Sequence, residues 1–215
     1  MTVYGIVAGG PKALLPCLKD QPVDYWIGCD RGSLYILEES LPLFQAIGDF
    51  DSVTAEERQR IKQHAKHMHL FPADKDDSDL ELAVKSIQQQ PEDTLIFYGI
   101  TGGRLDHTLA NLALLKRLVK RNIKAKMIDR YHTMDVYVPG VHKVQLNPER
   151  YISILPATEK VIGVTLDGFK YPLVDRTLEE GSSLTLSNHL LTIEGSISFT
   201  KGILIVISAE DQETF

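Results

Sequence analysis

The sequence predicts an α/β fold: an N-terminal, mostly parallel Rossmann-like sheet with helices, followed by a C-terminal all-β sandwich. Three observations carry that expectation. Short apolar runs alternate with amphipathic stretches as far as about Tyr131, which is how repeated βα units read. Beyond it come short alternating runs punctuated by Pro139-Gly140, Asp167-Gly168, Glu180-Gly181 and Glu194-Gly195, the turn spacing of a sandwich or barrel. Three acidic or glycine-rich segments each follow an apolar run in the first part, and loops that leave a parallel sheet after its strands share one edge. The expected division is residues 1–131 and 132–215.

In chain order, the candidate strands of the first part are Val3 to Ala8, Tyr25 to Cys29, Leu43 to Ile47, His69 to Phe71, Leu95 to Tyr98 and Ala125 to Ile128. Helical spacing of apolar residues appears in Glu56 to Lys66, Leu80 to Gln89 and Thr108 to Arg121. In the second part the strand candidates are Val136 to Val138, Tyr151 to Leu155, Ile162 to Leu166, Ser183 to Leu186, Leu191 to Ile193 and Ile203 to Ile207. Ser78-Asp79-Leu80-Glu81 fits a capping box at a helix start.

Composition narrows the function classes. Across 215 residues, 43% hydrophobic and 24% charged content is that of an ordinary globular protein, and a formal charge of −6 argues against a general nucleic-acid binder. Met1 to Gly10 lacks the charged start and long apolar run of a signal peptide, and no stretch approaches the roughly 20 apolar residues that span a bilayer. Cys17 and Cys29 form no Cys-x-x-Cys pair, so a reducing cytoplasm is the expected setting.

The chemistry-bearing residues fall in those three segments. Gly48-Asp49-Phe50-Asp51-Ser52 ends a strand, and in extended chain the two carboxylates share a side and can face one ion. Asp76, Asp77 and Asp79 crowd a helix start; one side chain caps the helix, which leaves others for a cation, while Lys75 among them can reach a phosphate. Gly99-Ile100-Thr101-Gly102-Gly103-Arg104-Leu105-Asp106-His107 leads from strand to helix, so free amides can meet an anion. Arg104 offers a planar fork for phosphate, and Asp106 can hold metal, orient Arg104 or accept a proton. Carboxylates converging on one crevice repel unless a hard cation such as Mg²⁺ joins them, and Mg²⁺ binds through a few carboxylates plus substrate phosphates. The triple His64, His67, His69 lacks the partners of a zinc site, and Trp26 beside Tyr25 reads as core.

On these residues the chain resembles the thiamine pyrophosphokinases over nearly its full length. The motifs Gly48 to Ser52, Asp74 to Asp79 with Leu80-Glu81, Gly99-x-x-Gly102-Gly103-Arg104-x-Asp106-His107, Gly168-Phe169-Lys170-Tyr171-Pro172-Leu173 and Ser187-Asn188 occur in that family's order. Cys29-Asp30-Arg31-Gly32 stands where the family often has Ala-Asp-Gly-Gly, and His189 where it often has Glu. The resemblance implies an ATP- and Mg²⁺-binding α/β domain and a thiamine-binding, dimerising β-sandwich in a homodimer. It implies diphosphate transfer from ATP to thiamine with release of AMP. Asp49, Asp51, Asp76 and Asp79 would then hold Mg²⁺. Arg104 and Lys75 would offset charge on the transferred group, and Gly9, Gly10, Asp30, Thr101, Gly102, Gly103 and His107 would line the ATP side. Tyr171, Leu186, Ser187 and Asn188 would meet thiamine. Two rival readings exist: Asp49-Phe50-Asp51-Ser52-Val53 also fits the nucleophile motif of haloacid-dehalogenase-type phosphatases, and a nucleotide-binding module without turnover needs only part of the set.

Overall fold

The computed structural model describes residues 1–72, 74, 76–87, 90, 92–145 and 151–210, and the chain forms two compact units, Met1–Arg130 and Tyr131–Phe215. In the first unit the elements run β1 (Val3–Val7), β2 (Tyr25–Cys29), α1 (Gly32–Glu38), β3 (Leu43–Gly48), α2 (Ala55–His64), β4 (His67–Leu70), α3 (Asp79–Ser86), β5 (Thr94–Tyr98), α4 (Leu105–Lys120) and β6 (Lys124–Ile128). These strands lie in the order β4-β3-β2-β1-β5-β6, and every pairing is parallel. The chain thus winds outward from β1 to β4 and then returns to the other side of β1 with β5. That reversal opens a crevice beyond the carboxyl ends of β1 and β5.

Burial explains why these segments are strands. Ile6, Val7, Ala46 and Ile47 are consecutive pairs with 0% exposure, so both faces of β1 and β3 are covered, as an apolar, β-branched run requires in a parallel sheet. Two helices start where the sequence satisfies their first amides. Thr54 and Glu57 form a reciprocal capping box at α2, and Ser78 and Glu81 form one at α3, as the sequence predicts there. α4 buries Leu114, Leu115, Leu118 and Val119 on one face, the stripe expected of an amphipathic helix. α1 has no counterpart in the sequence reading. Five of its seven residues are buried, Gly32, Ser33, Leu34, Ile36 and Leu37, so the amphipathic signal that marks a surface helix is absent.

The second unit carries two antiparallel sheets. β7 (His132–Tyr137), β8 (Gly140–Gln145), β9 (Tyr151–Pro156), β10 (Lys160–Asp167), β11 (Leu173–Glu179), β12 (Glu194–Phe199) and β13 (Leu204–Ala209) pair as β7-β13-β9 and as β11-β10-β12-β8. Alternate residues Ile152 and Ile154, Val164 and Leu166, Ile197 and Phe199, and Leu204 and Val206 turn into one core between the two sheets. Two predicted strands and one predicted turn are corrected, for Glu194-Gly195 is no turn but opens β12, paired along its length with β8. Ser183 to Leu186 and Leu191 to Ile193 are turns and bends, with Leu184, Leu186, Leu191 and Ile193 exposed; their alternation imitates a strand while pointing outward.

Candidate active site

A cavity of about 970 Å³ occupies the crevice of the first unit. Its walls come from the loops after β1, β2, β3 and β5 and from the N-terminal ends of α3 and α4. Of the sequence-predicted residues, Gly9, Gly10, Asp30, Asp49, Asp76, Asp79, Thr101, Gly102, Gly103, Arg104 and His107 line it. Lys75 lies outside the described residues. Asp51 and Asp106 stand beside lining residues rather than on the wall: Asp51 joins Asp30 and Asp49 in a carboxylate cluster, and Asp106 pairs with Arg104.

The acidic corner is built from backbone constraints. Asp30 has φ +45° and Phe50 φ +60°, so both segments turn sharply where the strands end. Phe50 is buried in the core at 2% exposure and anchors the loop between its two aspartates. The extended geometry expected for Asp49 to Asp51 is therefore replaced by a turn, in which the Asp51 amide donates to Asp49 Oδ1 at 3.0 Å. Asp30 Oδ1 in turn accepts the Phe50 amide at 3.0 Å. Gly48 makes that approach possible: with φ +147°, a Cβ there would sit 1.9 Å from Asp30 Oδ1. The outcome is one carboxylate oxygen each from Asp30, Asp49 and Asp51, all within 4.8 Å of one another. An all-oxygen, anionic donor set of that size fits a hard divalent cation.

The electrostatics agree with crowding. Burial, a hydrogen bond with Asp79 and the charges of Asp79 and Asp49 push the Asp30 carboxyl up to about 7, against a smaller opposing pull from the Phe50 amide. Asp30 was expected on the nucleotide side; the structure gathers it with the acids of the β3 loop and beside Asp79. Asp76 and Asp77 both reach the wall from the loop before α3, and Asp77 is also engaged with Lys85 at 2.6 Å.

The glycine-rich segment supplies another part of the wall. Gly10 donates its amide to the Gly99 carbonyl at 2.9 Å, and a Cβ on Gly10 would lie 2.5 Å from that oxygen, so the β1 and β5 loops close on one another only with glycine there. Thr101 Oγ1 donates to Asp129 Oδ2 at 2.9 Å, which fixes the loop to the end of β6. α4 begins earlier than the sequence suggested, at Leu105, with Arg104 in the capping position and no side-chain cap. Arg104 holds Asp106 in a two-pronged pair, 3.1 and 2.6 Å, with both side chains exposed. That pair pulls the Asp106 carboxyl down from its ordinary value and raises the Arg104 guanidinium.

Sequence reasoning passed over other wall residues. Tyr35 donates its hydroxyl to the Gly10 carbonyl at 3.2 Å, Asn111 donates to the Ile100 carbonyl at 3.1 Å, and Arg31 donates to the Ser52 carbonyl. Asn111 was detectable, since it follows His107 by one helical turn on the same face.

In the second unit, Asn188 is buried and its side chain is committed to backbone: Oδ1 accepts from the amides of Tyr171 and His189, and Nδ2 donates to the Tyr171 carbonyl at 2.9 Å. It serves as a clamp, where the sequence reading had it facing a ligand. Tyr171 and Leu186 are 57% and 46% exposed, and Ser187, with φ +51°, is exposed beside them in sequence. Asn188 therefore ties the Tyr171 segment to the Leu186-Ser187 turn and leaves three side chains open to a ligand.

The chain is similar to known proteins over nearly its full length. Residues 20–127 match the family model "Thiamin pyrophosphokinase, catalytic domain", and residues 141–204 match "Thiamin pyrophosphokinase, vitamin B1 binding domain". The chain is 42% identical over 214 residues to a thiamine pyrophosphokinase of Bacillus subtilis (strain 168), covering 98% of this chain and 100% of that protein. A crystal structure of thiamine pyrophosphokinase from Bacillus subtilis superposes with a TM-score of 0.91 at 41% identity, covering 98% of this chain and 100% of the other. A thiamin pyrophosphokinase structure from Geobacillus thermodenitrificans gives 0.86 at 35% identity, with both chains fully covered. With both family models matched in order along one chain, and with a relative this similar over its whole length, the chain belongs to the thiamin pyrophosphokinase family.

Proposed function

We propose that the crevice of the first unit transfers the terminal diphosphate of ATP to the primary hydroxyl of thiamine, giving thiamine diphosphate and AMP. The hydroxyl oxygen forms a bond to the β-phosphorus, the bond from that phosphorus to the α-phosphate oxygen breaks, and the hydroxyl proton is lost to solvent or a base. The observation that carries this reading is the carboxylate cluster of Asp30, Asp49 and Asp51 beside the glycine loops in a chain of this family. Those three residues, with Asp79 and Asp76 at the rim, would hold Mg²⁺. Bound there, Mg²⁺ supplies charge neutralisation on the phosphates. Gly102 and Gly103 bring backbone close to an anion at the start of α4, where Leu105 and Asp106 have no helical partner for their amides while the His107 amide is held by Asp106 Oδ1 at 3.0 Å. Arg104 exchanges its exposed partner Asp106 for phosphate oxygens, which a planar fork suits. Catalysis of this kind rests on positioning and preorganised charge.

Thiamine meets Tyr171, Leu186 and Ser187, whose aromatic, apolar and hydroxyl groups suit a cationic heteroaromatic. A homodimer in a cytoplasmic setting completes the reading. It is supported by the exposed apolar side chains Val141, Val174, Leu191 and Ile193 on the second unit, which are the kind a partner covers.

The test is turnover of ATP with thiamine and Mg²⁺ while all nucleotides are resolved. AMP equal to thiamine diphosphate is expected. Stoichiometric ADP, or an aspartyl-phosphate trapped on Asp49, contradicts the reading and favours an ordinary kinase or a phosphatase.

A further inference from the structure

Arg31 touches two other loops that frame the crevice and the first turn of α2. Its Cβ lies 3.4 Å from where a Cβ on Gly9 would stand, so the residue packs against the loop after β1. Its Nη2 donates to the Ser52 carbonyl in the loop after β3, and its Nη1 stands 3.9 Å from Glu57 Oε1. Glu57 Oε2 accepts the Thr54 amide at 2.8 Å, so this carboxylate already closes the capping box of α2. Arg31 and Ser52 both line the cavity. One side chain rooted at the end of β2 thus reaches the far end of the segment that carries Asp49 and Asp51.

That far end is where the segment needs holding. Its near end is fixed by buried Phe50, by the Asp51 turn and by the Phe50 amide on Asp30. Ser52 is exposed, and three carboxylates that crowd within 4.8 Å push the loop apart. A hydrogen bond from a charged guanidinium to a backbone carbonyl is strong for its kind, whereas the longer, half-exposed contact with Glu57 adds little.

We infer that Arg31 is a positioning residue for the acidic loop, holding the Ser52 carbonyl so that Asp49 and Asp51 keep the geometry a divalent cation requires. The inference rests on the cation reading given under the proposed function. Its rival is a role through charge alone, and the two differ in sign. A positive charge beside a cation site opposes binding, so a purely electrostatic Arg31 weakens cation affinity and its removal tightens it. A tether does the reverse.

The experiment is Mn²⁺ binding to the full metal-free chain, read by electron paramagnetic resonance, for wild type, Arg31→Met, Arg31→Lys and Asp49→Asn. Mn²⁺ takes the same oxygen ligands as Mg²⁺. Wild type is expected to bind, Asp49→Asn to lose binding, and Arg31→Met to bind about tenfold more weakly, the low end for loss of a group that orients ligands. Arg31→Lys, which keeps the charge and one donor, falls between. Equal or tighter binding by Arg31→Met overturns the inference. Should that variant fail to melt cooperatively, Arg31→Lys decides: binding equal to wild type overturns the tether, and weaker binding at unchanged charge supports it. If wild type and Asp49→Asn bind alike, the cation reading itself falls, and the inference with it.

Discussion

At the scale of single residues, the site depends on close approaches that leave little room for substitution. Asp49→Asn and Asp51→Asn keep shape and lose charge, so each is expected to lower turnover by at least about a hundredfold, beyond the usual cost of disturbing an outer-sphere group. Circular dichroism and melting should stay near wild type, because Asp51 is exposed and Asp49 half-buried in a loop. Near-wild-type turnover at limiting Mg²⁺ would make the residue a turn former. Gly48→Ala tests the backbone argument. Its methyl group meets Asp30 Oδ1 at 1.9 Å and its φ of +147° disfavours any side chain. Backbone strain of this kind costs about 1–3 kcal/mol. At about 2–4 °C per kcal/mol for a chain of this size, a fall in Tm of several degrees is expected together with loss of activity. Retention of both properties would mean that Asp30 is free to move aside. The acidic residues were legible in sequence because the two β3-loop aspartates, and likewise those of the helix-start cluster, stand close to one another in the chain. Membership of Asp30 in the cluster was not, since the Asp30–Phe50 hydrogen bond joins residues that only the pairing of β2 with β3 brings together.

At the scale of elements, α3 links the acidic corner to the rest of the sheet, and its start is held by Ser78, Glu81 and Arg117. Ser78 Oγ accepts the Glu81 amide at 3.3 Å, and Arg117 Nη2 donates to Glu81 Oε1 at 2.6 Å. Ser78→Ala removes that cap and should cost about 1 kcal/mol in denaturant unfolding. Burial lifts the Glu81 carboxyl, but Arg117 and Ser78 outweigh it and hold the group below its ordinary value. A carboxylate with a depressed folded-state value stabilises the fold above its unfolded-state value and loses that contribution as pH falls through the folded one. Wild type should therefore exceed Glu81→Gln in Tm at neutral pH, with the gap closing below about pH 4. A constant gap across that range would show that the ion pair contributes nothing. Most elements that sequence reasoning found have a clear burial pattern, and those it missed have different physical reasons. β12 alternates buried Gly195, Ile197 and Phe199, but its opening Glu194-Gly195 reads as a turn and hides the strand. β8 and β11 are the edges of their sheet and bury one residue each, Val144 and Leu178, so neither shows apolar alternation. α1 fails in the opposite way, being buried nearly all round.

At the scale of the whole molecule, the chain assigns its two chemistries to two units. The first offers carboxylates, glycine loops and Arg104 to a metal and polyphosphate; the second offers Tyr171, Leu186 and Ser187 on a scaffold clamped by Asn188. Tyr171→Ala together with Ser187→Ala should raise the KM for thiamine far more than that for ATP, while Asn188→Ala should also lower Tm because its hydrogen bonds are structural. A larger change in the ATP constant would move thiamine away from this surface. Sedimentation should give a dimer, and a fully active monomer would contradict that part of the proposal. The most direct test of the central claim is a crystal grown with Mn²⁺ and a non-hydrolysable ATP analogue, with the metal located by anomalous scattering. The expected result is a metal peak at roughly 2.0–2.2 Å from carboxylate oxygens of Asp30, Asp49 and Asp51, with analogue phosphates completing its shell. A metal held by other residues, with these three carboxylates facing only water, would contradict it.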